Sequence, residues 1–350
     1  MTILSKRTLT GFFVATMFAS LLPAGNVALA QETVVFAGYG GSIQAAQRKI
    51  YFDAFEKETG IKVIDVPAVG LPQIKAMVNS GNVQWDVANV LGMWHQLGVA
   101  DNLWTKLDND VVKADGVPKE FRSEYGVGNA TSGYIIAYNS KLTGEANAPK
   151  SWADFWDTTG KPGPRGLFDG PRYILEFALM ADGVAPKDLY PLDVDRAFAS
   201  LDKIKPKIAV WWKQWPQPPV LLASGELAMS NASHTRILDI VANEKVPLKI
   251  VWNQGLTQAD WLVVPRGAKN AKNAMKLIEF MSRASTQANF AKVTGMGPTN
   301  SDALVALTPE EQEKLPSYYY KKGEIALVND KWWAENSDKM IQRWDAWKLK

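Results

Sequence analysis

Thr33-Val34-Val35-Phe36-Ala37-Gly38-Tyr39-Gly40-Gly41-Ser42 is the stretch whose reading decides the fold. Its first five residues are β-branched or apolar, which predicts a short buried strand. The glycine turn then opens a helix running to about Thr59, with Ile50, Phe52 and Phe55 as its bulky apolar residues. Gly60 stops that helix, and Ile61-Lys62-Val63-Ile64 predicts the next strand. Strand, glycine loop, helix and strand make a βαβ unit, so the fold class is α/β. Ser42 suits a helix cap, and the free N–H groups of a first helical turn attract anions. Gln44 and Ala45 follow Ser42-Ile43, so the G-x-G-x-x-G of a dinucleotide loop is not completed. Tyr39, Gly41 and Ser42 are read as facing a ligand, with a purely structural loop as the competing reading.

Upstream of this unit, residues 1–30 read as an export signal. Lys6-Arg7 form its positive end, Leu9 to Leu22 its apolar run, and Ala28-Leu29-Ala30 a cleavage site. The chain of 350 residues has no Cys, which excludes disulfides, thiolate metal sites and Cys nucleophiles. Its two histidines, His95 and His234, are too few for an imidazole-built metal centre. A net charge of +3 without a basic block argues against nucleic acid. Ser233 and His234 are neighbours, which do not face each other on a helix, and no G-x-S-x-G surrounds a serine. The expectation is a protein that is not an enzyme, without catalytic residues, cofactor or metal.

Downstream, Val83 to Val90 predicts a strand and Trp94 stands beyond its end. Ligands of open α/β sheets bind beyond the carboxyl ends of strands, so Trp94 is a candidate pocket wall, with core packing as the alternative. Gly126 to Gly133 is small and flexible, which suits a crossing between two halves, and Ser132 offers a hydroxyl there. The second half repeats the pattern. Leu167-Phe168 opens a strand, and Asp169-Gly170-Pro171-Arg172-Tyr173 leads into a helix. Arg172 has the planar fork that matches a carboxylate; an ion pair with Asp169 or another acid competes with that role. Trp211, Trp212 and Trp215 are too crowded to enter one small core, so one or two of them, Trp212 first, are expected to face a cleft. Ser233 and Arg236 open another helix. Leu248 to Trp252 reads as an edge strand, and Trp261 to Val264 as a separate short strand with Asp260 at its mouth. A lone buried carboxylate needs a partner: a turn or arginine of the chain, or a cationic ligand. His95 reads as a surface residue or one behind the pocket wall. The stripe Trp333, Met340, Ile341 and Trp344 reads as core packing of a final helix.

Several motifs occur in order: Phe55-Glu56-Lys57-Glu58-Thr59-Gly60, Leu222-Ala223-Ser224-Gly225-Glu226, Asp260, Pro265-Arg266-Gly267-Ala268-Lys269-Asn270 and Gly297-Pro298-Thr299-Asn300. Together they resemble the periplasmic binding proteins of the spermidine/putrescine group. The resemblance implies a type II fold with two α/β lobes and a ligand cleft between them. It also implies delivery of the solute to an inner-membrane ABC permease. Lobe one is expected over residues 31–132 and 261–300, lobe two over 133–260 and 301–350. In that group an acid matching Asp260 holds a ligand amine, and aromatics, matched here by Trp212, enclose the methylene chain. Tyr173 stands where polyamine binders usually carry Glu, and the first loop has no acid. A long polycation wants several carboxylates. The departure favours a small amine or a zwitterion such as 4-aminobutyrate, with putrescine or spermidine as the alternative.

Overall fold

The computed structural model describes residues 31–161 and 163–350. The expected export segment lies outside the described residues. The strands are β1 Thr33–Gly38, β2 Lys62–Pro67, β3 Val87–Leu91, β4 Arg122–Ser123, β5 Gly126–Asn139, β6 Arg165–Phe168, β7 Ile208–Trp212, β8 Met229–Ser233, β9 Leu248–Val263, β10 Gly297–Pro298 and β11 Ala326–Leu327. They run in the order β2-β1-β3-β9-β5-β8-β6-β7, with β4 and β10 on β5 and β11 on β9. Parallel strands lie on either side: β1 pairs with β2 and β3, and β6 pairs with β7 and β8. Between them runs the long antiparallel pair β5 and β9.

This order separates two cores. Phe36, Phe52, Phe55, Trp104 and Val263 pack beside β1 to β3. Trp152, Phe177, Leu201, Trp333 and Trp344 pack beside β6 to β8. Both β5 and β9 feed the two cores, with Val127 and Trp261 on one side and Ile136 and Leu256 on the other. The result is an α/β architecture of two lobes. Residues 301–315 pack against the Ala284–Thr294 helix through Ala303, Leu304 and Leu315.

The opening βαβ unit forms as its residues dictate. Val34, Phe36 and Ala37 of β1 are fully buried. Gly40 and Gly41 take left-handed φ of 77° and 66°, conformations that cost glycine little. The Gly41–Gln47 helix continues through a π turn at Arg48–Phe52 to Thr59, and Gly60 ends it with φ 73°. Ser42 lies inside this helix and does not cap it; the Gln44 side chain accepts the Gly40 N–H instead, at 2.7 Å.

The crossing segments differ from the sequence reading. Gly126 to Gly133 belongs to a 14-residue strand, and the two short strands expected around Asp260 are one 16-residue strand. Their glycines serve close packing. A Cβ on Gly133 would stand 2.8 Å from the Trp252 ring and 3.3 Å from His234 Nδ1. His234 Nδ1 accepts the Gly133 N–H at 2.9 Å, which leaves Nε2–H to donate to the Gly295 carbonyl at 2.9 Å. Burial lowers its pKa to about 4, so it is a neutral crosspiece between β5, the His234–Glu244 helix and the end of the Ala284–Thr294 helix. His95 is buried rather than at the surface, stacked on Trp261 with centroids 4.3 Å apart. In the Asp330–Lys348 helix, Trp333, Met340 and Trp344 are buried as expected; Ile341 is exposed and Trp347 completes the stripe.

Candidate functional site

Asp260 sits on β9 where that strand passes from one core to the other, opposite Leu91 of β3 and Ala130 of β5. Its carboxylate has no hydrogen-bond or ion-pair partner among the described residues. Burial, then the negative charge of Asp330, push its pKa up to about 7. A carboxylate held so far from its ordinary range is short of positive partners.

Two tyrosines, Tyr39 and Tyr134, feel its charge. Tyr39, at the end of β1, has its pKa raised well above the usual value by burial and then by the charges of Asp260 and Tyr173. Tyr134 of β5 is raised too, by burial first, with Tyr173 and Asp260 adding to it. The Tyr134 and Tyr173 rings stack at 4.0 Å, and Trp215 lies tilted against Tyr134 at 5.2 Å. Tyr173 caps the start of the Ile174–Ala181 helix with φ 69°, a conformation rare for a bulky residue. Its hydroxyl donates to Gln258 Oε1 at 2.7 Å, which holds the ring in place.

Trp212 is not at this surface. It is buried, and its indole N–H donates to Ser230 Oγ at 3.1 Å. The cause is position: Trp212 is the last residue of β7, buried against Phe168 and Ser230, whereas Trp215 follows the turn beyond the strand end and helps line the cavity. Trp94 likewise packs, half-buried, against the first core.

Arg172 takes the ion-pair alternative, with Asp330 rather than Asp169. Nη2 lies 2.6 Å from Asp330 Oδ1 and donates to Gln258 Oε1 at 2.9 Å, while Nη1 meets Met93 Sδ at 3.1 Å. The pair is 16% and 12% exposed, so its charges are largely withdrawn from water. Asp169 instead accepts the Trp344 indole N–H at 3.1 Å. Met93, Phe168, Arg172, Tyr173, Trp215 and Trp333 help line a cavity of about 410 Å³.

A second cavity, of about 340 Å³, lies between the two lobes' helix starts. Ser42 contributes from one side and Thr235, Arg236 and Asp239 from the other. Arg236 is exposed and has no ion pair among the described residues. Gly41 leaves open space: a Cβ there would meet nothing within 4 Å. Ser233 Oγ lies 3.1 Å from Thr235 Oγ1. Ser132 is half-buried on β5, opposite Gln258.

The fold thus gathers Tyr39, Arg172, Tyr173 and Asp260, and brings Ser42 to Arg236 in the neighbouring cavity. Tyr134, Gln258 and Asp330 were not singled out from sequence, and Trp215 only as one of three clustered tryptophans of which Trp212 was preferred. Tyr134 and Gln258 carried a readable signal, since both lie on the crossing strands beside residues that were. Asp330 carried none, because it reaches Arg172 across 158 positions of sequence. Chemically, the arrangement offers one uncompensated carboxylate among π faces, which suits a cation with an apolar body.

The family described as bacterial extracellular solute-binding protein matches residues 51–316. A gamma-aminobutyric acid-binding protein of Pseudomonas aeruginosa is 37% identical over 340 residues, covering 95% of both chains. The spermidine/putrescine-binding periplasmic protein of Escherichia coli is 30% identical over 178 residues, 48% of this chain and 49% of its own. Among solved structures, a GABA receptor is 34% identical with a TM-score of 0.81, covering 91% of this chain and 98% of its own.

Proposed function

The chain belongs to the bacterial extracellular solute-binding proteins, and on that premise we propose that it binds a small ω-amino acid such as 4-aminobutyrate in the cleft between its lobes. Family membership implies a periplasmic protein that delivers its solute to an inner-membrane ABC permease. The observation that carries the ligand reading is Asp260, a half-buried carboxylate without a partner among the described residues, pushed up to about 7. Its partner is the ligand ammonium. Tyr39, Tyr134, Tyr173 and Trp215 enclose the methylene segment, where apolar burial and the ring faces both favour it.

The ligand carboxylate is assigned to Arg236 with the amides of Gly41 and Ser42. Arg172 is already paired with Asp330, while Arg236 borders open space opposite Ser42. A zwitterion then meets opposite charges at its two ends, one from each lobe, and gains from closure. We place the lobe boundary on β5 between Ala130 and Ile136 and on β9 between Leu256 and Ala259, slightly earlier on β9 than the expected 260/261, so that Asp260 belongs to the first lobe and Arg236 to the second. The greater share of the chain matched by the GABA-binding relative than by the polyamine binder supports the same choice. Calorimetry of the mature protein with 4-aminobutyrate, putrescine and spermidine tests it. Tight putrescine binding with no response to any amino acid refutes the zwitterion.

A further inference from the structure

Asp330 holds a place normally reserved for a bound anion. It lies in the first turn of the Asp330–Lys348 helix, but its carboxylate reaches across to the start of the Gly92–Ala100 helix. There it pairs with Arg172 and lies close enough to the Met93 backbone N–H for that group to offset part of the burial-driven rise in its pKa. The fit is close. A Cβ on Gly92 would stand 1.8 Å from Asp330 Oδ2, so only glycine at position 92 lets the carboxylate reach the free N–H groups of that helix. The Arg172 guanidinium also lies over two aromatic rings, 5.4 Å from that of Tyr173 and 5.7 Å from that of Trp333. Backbone N–H groups at a helix start and a clamped guanidinium are the elements of a carboxylate site. Here the chain supplies the carboxylate itself.

We propose that Asp330 is a built-in anion that fills this slot, cancels Arg172 and thereby fixes the cleft's preference for an ammonium at Asp260. With Asp330 in place, the charges of Arg172 and Asp330 balance and Asp260 is left without a counter-charge; Glu176, the other carboxyl near Arg172, is fully buried, hydrogen-bonded to Tyr190 and Trp333, and has its pKa raised by burial. Without it, Arg172 faces the same cleft as an unpaired cation and repels a ligand amine while attracting a carboxylate. Asp330 is a specificity-determining residue in this sense. The inference rests on the amine-binding reading above for its effect on ligands, but the slot can be probed without any ligand.

Two measurements test it. In the first, Asp330→Ala is melted with and without formate, a free carboxylate small enough for the vacated slot. Formate should raise the melting temperature of the variant and leave wild type unmoved; an unfolded variant that regains its circular dichroism in formate reads the same way. Equal response of both proteins, or of neither, overturns the slot. In the second, Asp330→Asn and wild type are titrated with 4-aminobutyrate, butylamine and butyrate. The variant should lose about tenfold or more in butylamine affinity and gain affinity for butyrate. Shifts in the same direction for both probes, or none beyond twofold, overturn the charge-setting role. Wild type that binds none of the amines, beside a formate response confined to the variant, refutes the amine-binding reading and upholds the slot.

Discussion

Replacing Asp260 by Asn removes the cleft's unpaired charge and keeps its shape. If the ligand ammonium pairs with Asp260 out of water, the loss is on the order of 2–5 kcal/mol. That is roughly 30-fold to several thousand-fold in Kd. The pH dependence gives a sharper signature. An ordinary aspartate titrates near about 3.9, and Asp260 is pushed up to about 7 by burial and Asp330. Between those values the folded protein holds a proton that the unfolded chain does not. The stability contributed by that proton is therefore full below about pH 4 and is lost as pH rises through about 7. Binding an ammonium runs the opposite way, because the carboxylate must be ionised. Affinity should rise with pH and level off above about 7; at pH 5, two units below, it should be about a hundredfold weaker, or about 2.7 kcal/mol. Asp330, raised by burial to about 6, bends the curve in the same direction. Titration calorimetry across pH 5 to 8, in buffers of different ionisation enthalpy, reads both the affinity and the released proton. Asp260→Asn should flatten the curve above pH 6 and abolish most of the proton release. An Asn variant that binds as tightly as wild type, or that keeps the wild-type pH slope, refutes the assignment of Asp260.

The two tryptophans should separate. Trp215→Ala should weaken amine binding by about 0.5–2 kcal/mol while the fold survives, whereas Trp212→Ala should cost about 3–5 kcal/mol in a denaturant melt. Arg236→Gln should weaken 4-aminobutyrate and leave butylamine unchanged in calorimetry; an equal effect on both removes Arg236 from the carboxylate end. Solution scattering should show a smaller radius of gyration at saturating 4-aminobutyrate, since contacts from both lobes favour the closed form, and an unchanged radius counts against closure. Mass spectrometry of periplasmic protein should find Gln31 as the first residue, and an intact Met1 refutes export with cleavage.

What the sequence made legible follows from how local each signal is. The βαβ opening was readable because Val34 to Gly60 carry their strand, turn and helix stop within 27 residues. Asp260 was readable for a related reason: a charge next to Trp261 in an apolar run has few bland explanations. The crossings were misread because Gly128 and Gly133 look like flexibility in one dimension. In three dimensions they are clearance, for Thr299 and Phe121 at one and Trp252 and His234 at the other. Trp212 and Trp215 have equal chemistry and differ in which side of a strand end they occupy, a distinction set by where β7 stops. Arg172 shows the deeper limit. Its two readings, ligand anchor or ion pair, were both sound, and the choice depended on Asp330, which only the folded chain brings to it. Once that acid is known, Arg172 is paired and Asp260 is left without a counter-charge, and on the proposed reading the ligand carboxylate falls to the exposed Arg236. On that reading a single pairing across the sequence decides which arginine is free to receive a ligand carboxylate, and no local pattern encodes it.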